Sequence, residues 1–341
     1  MSLSAPPRLL EVKDLSVHFK VYSGVLKVLD GVTFSVDAGE KVGLVGETGC
    51  GKTTTMKAIL RILPIPPAVV PRGEILFQGE DLLRMRPDQM RQVRGPGISM
   101  VFQDPTASLN PVFTIGEQLG PVIRYSAPEN RGLSRRQIRQ KALIPLQDVA
   151  LADPERLLDA YPIQLSGGMR QRVCIGMALA TNPELLIADE PGTSLDVTIQ
   201  DQVIRLLGEL VERKRTSVIL ITHSLGVVRE MTDRVYVMYA GNMVEVAPTR
   251  RLFANPLHPY TRGLMEAVPK LTGGGMAMGI PGRLPSYQHP PSGCRFHTRC
   301  PHVMPVCRRE KPPFFQAEAG HQAACFLYSP EAERHRNEAQ A

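Results

Sequence analysis

The chain has 341 residues, enough for one large domain or two, and 43% of them are hydrophobic, enough for a proper core. Its 40 basic and 33 acidic residues leave a formal charge of +7, and the absence of tryptophan with only 5% aromatic residues argues against base-stacking nucleic-acid platforms. No stretch reaches the ~18 apolar residues that a membrane helix needs, and the opening MSLSAPPRLLEVKDL carries no signal-peptide core, so a cytoplasmic chain is expected, touching any membrane only through a partner.

From Leu9 to Val36 apolar and polar residues alternate, as in LEVKDLSVHF and VTFSVD, which predicts antiparallel strands. KVGLVG reads as a short buried strand and TTTMKAILRIL as the helix after it. A proline-rich turn (Pro64, Pro66, Pro67, Pro71) leads to a further strand pair around GEILFQGEDL. From about 105 to 164 the chain is rich in helix formers, loops and arginines, and reads as an inserted helical subdomain. Its basic run RGLSRRQIRQK, Arg131 to Lys141, reads as a solvated helix face. A helix is expected from 166 to 180. ELLIADE and SVILITH are apolar runs of the kind found in central parallel strands covered on both faces, and DVTIQDQVIRLLGELVERK between them has helical spacing. RVYVMYAGNMVEVA predicts a closing hairpin that turns at Gly241 and Asn242. Beyond Pro248 come LHPYTRGLMEAVP, the glycines at 273–275, a proline-rich stretch, and Cys294, Cys300, Cys307 and Cys325 crowded into the last fifth. The expected division is 1–250 and 251–341, with a polar, frayed tail from Ser329.

GETGCGKTT, Gly46 to Thr54, fits G-x-x-x-x-G-K-T at Gly46, Gly51, Lys52 and Thr53, in the strand–loop–helix setting a phosphate loop requires. Glycines let backbone N–H groups curl around a β-phosphate, and the helix N-terminus adds a favourable dipole. Lys52 is expected to neutralise the β- and γ-phosphates and the Thr53 hydroxyl to bind Mg²⁺. Asp189 ends an apolar strand, where a lone carboxylate is costly unless it serves an ion. It is expected to hold the Mg²⁺, and Glu190 beside it to orient and deprotonate the attacking water. Ser166, Gly167 and Gly168 open a helix in LSGGMRQR and form a second anion site. The first is already used, so the second is expected to meet the γ-phosphate of an ATP held by another subunit. A dimer with two ATP molecules at its interface follows.

Six segments lie in one order: the phosphate loop, Gln103 in MVFQDP, LSGGMRQR, LLIADE, SLD ending at Asp196, and LITHS with His223. Together they resemble the ATPase subunit of ABC transporters over about residues 8 to 250. The resemblance implies an α/β P-loop NTPase of the ABC ATPase type, with a parallel core sheet, an antiparallel β subdomain and an inserted helical subdomain, followed here by a small cysteine-rich C-terminal region. It implies ATP contacts from Gly46, Glu47, Thr48, Gly49, Cys50, Gly51, Lys52, Thr53, Thr54 and Gln103, with Thr53, Gln103 and Asp189 around Mg²⁺. Glu190, His223 and Lys52 are the implied catalytic groups. Ser166, Gly167, Gly168, Gln171 and Asp196 are implied to face the partner's ATP, and Tyr22 to stack on adenine, with Phe19 as the second choice.

DPTASLNPVFTIGEQL, YPIQLSGGMRQRV, SLDVTIQDQVIRLL, LHPYTRGLMEAVP and PPSGCRFHTRCPHVMPVC are similar to the oligopeptide/dipeptide importer branch, over nearly the whole chain. That implies an ATP-hydrolysing import motor at the cytoplasmic face of the membrane. Its partners would be a second ATPase subunit (a copy or a sister chain), two membrane permease subunits docked through Pro105 to Gln118 and, indirectly, an extracytoplasmic solute-binding protein, with no nucleic acid. Importers of nickel, glutathione or sugars share these marks, and a soluble ABC ATPase is the more distant alternative. The spacing C-x₅-C-x₆-C-x₁₇-C is wider than the paired knuckles of structural zinc. The resemblance implies a 4Fe–4S cluster on Cys294, Cys300, Cys307 and Cys325, with Zn²⁺ as the alternative and His297, His302 and His321 as substitute ligands. The chain departs from the usual pattern at Gly192 and Ser194, at Ile163 and Gln164, and at Thr48 and Cys50 where serines are common. Cys50 is expected to make the loop sensitive to thiol reagents.

Overall fold

The computed structural model describes residues 8–193, 195–267 and 279–332. Ser194, the glycines at 273–275 and the tail beyond 332 lie outside the described residues. The chain opens with β1 (Arg8–Val21), β2 (Gly24–Asp37), β3 (Lys41–Val45), α1 (Lys52–Ile59), β4 (Ala68–Phe77) and β5 (Glu80–Asp81). It continues with α2 (Pro87–Val93), β6 (Ile98–Val101), α3 (Pro105–Ser108), α4 (Ile115–Ser126), α5 (Arg135–Asp148), α6 (Pro154–Leu158), α7 (Gly167–Leu179), β7 (Leu185–Asp189), α8 (Val197–Lys214) and β8 (Ser217–Ile221). It ends with α9 (Leu225–Met231), β9 (Arg234–Tyr239), β10 (Asn242–Pro248), α10 (Thr249–Ala254), α11 (Pro259–Glu266), β11 (Phe315–Glu318) and β12 (His321–Ala323). Two compact units result: one holds 37–40 and Arg84–Ile221, the other Arg8–Val36, Lys41–Leu83 and the chain from Thr222 onward.

In the first unit β6, β7 and β8 pair in parallel, with β7 in the middle. Every residue of β7 and β8 is buried, as apolar strands covered on both faces must be. α8 buries Val203, Ile204, Leu207, Leu210 and Val211, a stripe spaced at three and four residues. Residues 105–164 carry α3 to α6 and no strand. The basic run falls on the start of α5, where the Ser134 side chain caps the helix and Arg139 pairs with Asp159 at 2.7 Å on the surface.

In the second unit β1 and β2 are joined by a tight turn at Tyr22 and Ser23, and β1 pairs antiparallel with β4. A second sheet runs in the order β11–β12–β10–β9–β3, parallel between β3 and β9 and antiparallel elsewhere. The β9–β10 turn falls one residue earlier than its Gly-Asn signal predicts. Asn242 pairs with Tyr239, leaving Ala240 (φ 44°) and Gly241 (φ 78°) as the turn. The cause is the Asn242 side chain, which is buried and donates to the Asp30 carbonyl at 2.5 Å. The core joins both ends of the sequence. Val45, Val237 and Leu252 share it with Tyr239, Tyr260 and Phe296, whose ring centroids lie 4.6 to 5.5 Å apart.

Candidate active site

β3 feeds directly into the glycine loop, and α1 starts at Lys52. At Gly46 (φ +154°) a Cβ would sit 2.1 Å from the Met238 carbonyl oxygen, so only glycine lets the loop leave the strand there. Lys52 is 5% exposed and curls back on the loop, with Nζ donating to the carbonyls of Gly46 at 2.7 Å and Glu47 at 3.1 Å. Thr48, Gly49 and Thr53 are exposed and Thr54 is half-buried. His223 is exposed, with Nε2 3.5 Å from Thr48 Oγ1. Tyr22 is fully exposed at the β1–β2 turn, while Phe19 is half-buried. Cys50 corrects an expectation: it is fully buried beneath the loop, and burial pushes its thiol pKa up against the pull of Lys52. A neutral, enclosed thiol is a poor target for thiol reagents.

Three residues that the sequence did not assign to the loop also hold it. The Tyr260 hydroxyl accepts from the Glu47 N–H at 2.7 Å, and the Tyr287 hydroxyl donates to the Gly49 carbonyl at 2.6 Å. Arg299 grips the Glu47 carboxylate at 2.9 and 3.0 Å. The segments LHPYT and CRFHTRC announced a subfamily, but nothing in them named a target more than 200 residues upstream.

The carboxylates lie in the other unit. Asp189 is the last residue of β7 and is 3% exposed. Glu190 follows in the left-handed region (φ 49°), a conformation that costs a side-chain-bearing residue about 1 kcal/mol. Its N–H donates to the Ile221 carbonyl at 2.8 Å, and its Oε2 accepts from Gln103 Nε2 at 2.8 Å and Thr193 Oγ1 at 3.1 Å. Gln103 thus meets Glu190 across 87 residues of sequence. Thr193 was not legible as a site residue, because the signal lay in its neighbours. Ser166 is exposed and caps α7 by accepting from the Met169 N–H at 3.3 Å. Gly168 lies so close to Ile199 that a Cβ would approach within 2.7 Å. Gln171 is fully buried, and its amide atoms have no partner among the described residues. Asp196 is exposed and caps α8 through the Ile199 N–H at 3.0 Å.

Cys294, Cys300, Cys307 and Cys325 line one small cavity with Phe296, Met304, Pro312 and Phe326. Among the described residues, no three His, Cys, Asp or Glu side chains gather as the ligands of a single metal ion. The donor set is four soft thiols in apolar surroundings, a composition that suits a multi-iron cluster or zinc. Burial pushes the Cys294 thiol up to about 11 and Cys325 up to about 12. Two of the substitute histidines are otherwise engaged: His297 Nδ1 lies 2.9 Å from the Cys294 carbonyl, and His321 Nε2 lies 2.7 Å from Glu245 Oε1 in full burial.

Residues 29–193 match the ABC transporter family, and residues 244–307 match the oligopeptide/dipeptide transporter C-terminal region. A probable peptide ABC transporter ATP-binding protein of Sinorhizobium fredii is 49% identical over 320 residues, covering 93% of this chain and 94% of that protein. The oligopeptide transport ATP-binding protein of Bacillus subtilis is 44% identical over 327 residues, covering 95% of this chain and 90% of that protein. Among solved structures, a dimeric post-hydrolysis ATP-binding cassette bound to ADP and Pi superposes with a TM-score of 0.62 at 27% identity, covering 71% of this chain and 99% of that one. The sequence matches run through both the loop-bearing core and the cysteine-bearing end, and on them the chain belongs to the ATP-binding subunits of ABC transporters, in their oligopeptide/dipeptide branch.

Proposed function

We propose that this chain is the ATP-hydrolysing subunit of an importer for di- or oligopeptides. The observation that carries the reading is the glycine loop with its buried Lys52, present in one chain with a C-terminal region of the peptide-transporter type. Gly46 to Thr54 cradle the phosphates of ATP, with Lys52 turning from the loop carbonyls to the β- and γ-phosphates. Tyr22 carries the adenine. Thr53, Asp189 and Gln103 would hold Mg²⁺, which when bound would neutralise part of the phosphate charge. Glu190 takes the proton of the attacking water, and His223 bonds the γ-phosphate. Ser166, Gly167, Gly168 and Gln171 face the γ-phosphate held by a second ATPase subunit, and Asp196 lies along the same interface.

Two permease subunits and a solute-binding protein complete the importer, at the cytoplasmic face of the membrane. Among the described residues no helix is long and apolar enough to cross a membrane. Exposed Val112 and Phe113, 70% and 48% accessible, favour residues 105–118 as the permease contact. Residues 1–250 form the ATPase module in this reading, and 251–341 carry a 4Fe–4S cluster on the four cysteines, with Zn²⁺ as the second choice. The test is ATP hydrolysis by the transporter reconstituted with its permease and binding protein. Di- and oligopeptides are expected to stimulate turnover. Stimulation by nickel, glutathione or a sugar, with none by peptides, overturns the peptide assignment.

A further inference from the structure

We propose that Arg299 is a positioning residue for nucleotide binding: it cancels the one carboxylate that the phosphate loop carries and holds that side chain away from the phosphates. The inference rests on the ATPase reading above. Glu47 is the second residue of the loop, and a free carboxylate there would repel a triphosphate carrying several negative charges. Arg299 removes that cost through a two-pronged ion pair, Nη1 to Oε2 at 2.9 Å and Nη2 to Oε1 at 3.0 Å. Such fork-to-fork pairs fix orientation as well as charge.

The guanidinium is itself immobilised. Its Nε donates to the Pro281 carbonyl at 2.8 Å, its Nη2 to the Ile280 carbonyl at 3.0 Å, and its carbon sits 5.7 Å from the centre of the Tyr239 ring. The arginine side chain is only 5% exposed, so the pair is weakly screened. Tyr260 and Tyr287 bind the loop backbone on either side of Thr48, so the carboxylate cannot swing away by moving the main chain. Arg299 also stands next to Cys300, which joins the cysteine-lined cavity to the phosphate loop through one side chain.

A residue that merely tied the C-terminal region down would act on stability alone. One that neutralises Glu47 makes a sharper claim: removing the carboxylate should cure the loss of the arginine. MgATP affinity of the full chain is measured by calorimetry, with thermal unfolding alongside. Arg299→Gln is expected to weaken MgATP binding on the order of tenfold, equivalent to about 1.4 kcal/mol. Arg299→Lys, which keeps the charge and loses the fork, is expected to restore part of that loss and serves where the glutamine variant does not fold. The double variant Arg299→Gln, Glu47→Gln is expected to return to within about threefold of wild-type affinity, about 0.7 kcal/mol. Wild-type affinity in Arg299→Gln, or no recovery in the double variant, overturns the inference and leaves the ATPase reading standing. Failure of the wild-type chain to bind MgATP overturns both.

Discussion

Glu190 combines three features that an ordinary surface carboxylate lacks. It is 8% exposed, it sits at φ 49°, and its Oε2 is held by Gln103 and Thr193. The strained backbone aims the side chain, and the two donors fix where its oxygens lie, which is what a base must have before it can take a proton in a defined direction. Glu190→Gln keeps an amide oxygen that can accept from Thr193, so ATP affinity is expected to stay within about threefold of wild type. The amide cannot accept the water's proton, and hydrolysis is expected to fall by ~10²–10⁴. Single-turnover hydrolysis by the purified variant checks this, and turnover within twofold of wild type would remove Glu190 from the base role. The sequence points to Gly46, Lys52, Asp189 and Glu190 as candidates because of their local settings: glycines after a strand, a lysine opening a helix, acids closing an apolar run. Arg299 and Thr193 have no such setting, and only the folded chain brings them to their partners.

At the level of elements, β7 and β8 could be read because strands buried on both faces are apolar throughout. β11 and β12 could not. FQAE and HQA are short and mixed in polarity, and they form strands because β10 offers them a free edge. The junction between β10 and this added pair contains a buried ionic group whose effect is measurable. Glu245 is fully buried. It accepts from the N–H groups of Leu257 and His258 at 2.8 Å each, and its Oε1 lies 2.7 Å from His321 Nε2. Burial alone would raise its pKa. The His321 bond and the two backbone donors outweigh that and hold the carboxyl below its ordinary value of 4.5. A depressed carboxylate binds fewer protons folded than unfolded, so its contribution is fully present above about pH 4.5 and is lost as pH falls through the folded value. Glu245→Leu strips partners from two buried N–H groups and a buried histidine, and is expected to cost about 3–5 kcal/mol. Denaturant unfolding at pH 7 measures that cost. Glu245→Gln should flatten the decline of stability below pH 4.5, and an unchanged acid limb would show that the carboxylate is not depressed.

At the level of the whole molecule, the cysteine-bearing end is built into the unit that carries the phosphate loop. Phe296 packs in one core with Tyr239 and Tyr260, β12 extends the sheet from β10, and Lys311 donates to the Asp30 carbonyl at 2.5 Å. A metal or cluster held by the four thiols, as proposed, would therefore bear on the stability of the loop's own unit. Burial raises the pKa of Cys294 and Cys325, whereas metal ligation would deprotonate the thiols and tie Cys325 to a loop that begins at Cys294. Protein purified without oxygen is expected to be brown and to contain iron and acid-labile sulfide in equal amounts. Cys300→Ser is expected to lose the colour and to unfold about 2–4 °C lower for each ~1 kcal/mol of ligation lost, the shift expected of a domain of about 150–250 residues. It should also weaken MgATP binding, because Arg299 is the next residue along. Colourless protein with one zinc per chain supports Zn²⁺ in the same cavity and rules out the cluster. Metal-free protein whose stability and nucleotide affinity are unmoved by Cys300→Ser rules out both metals, and would leave the cysteines as ordinary packing residues around Phe296.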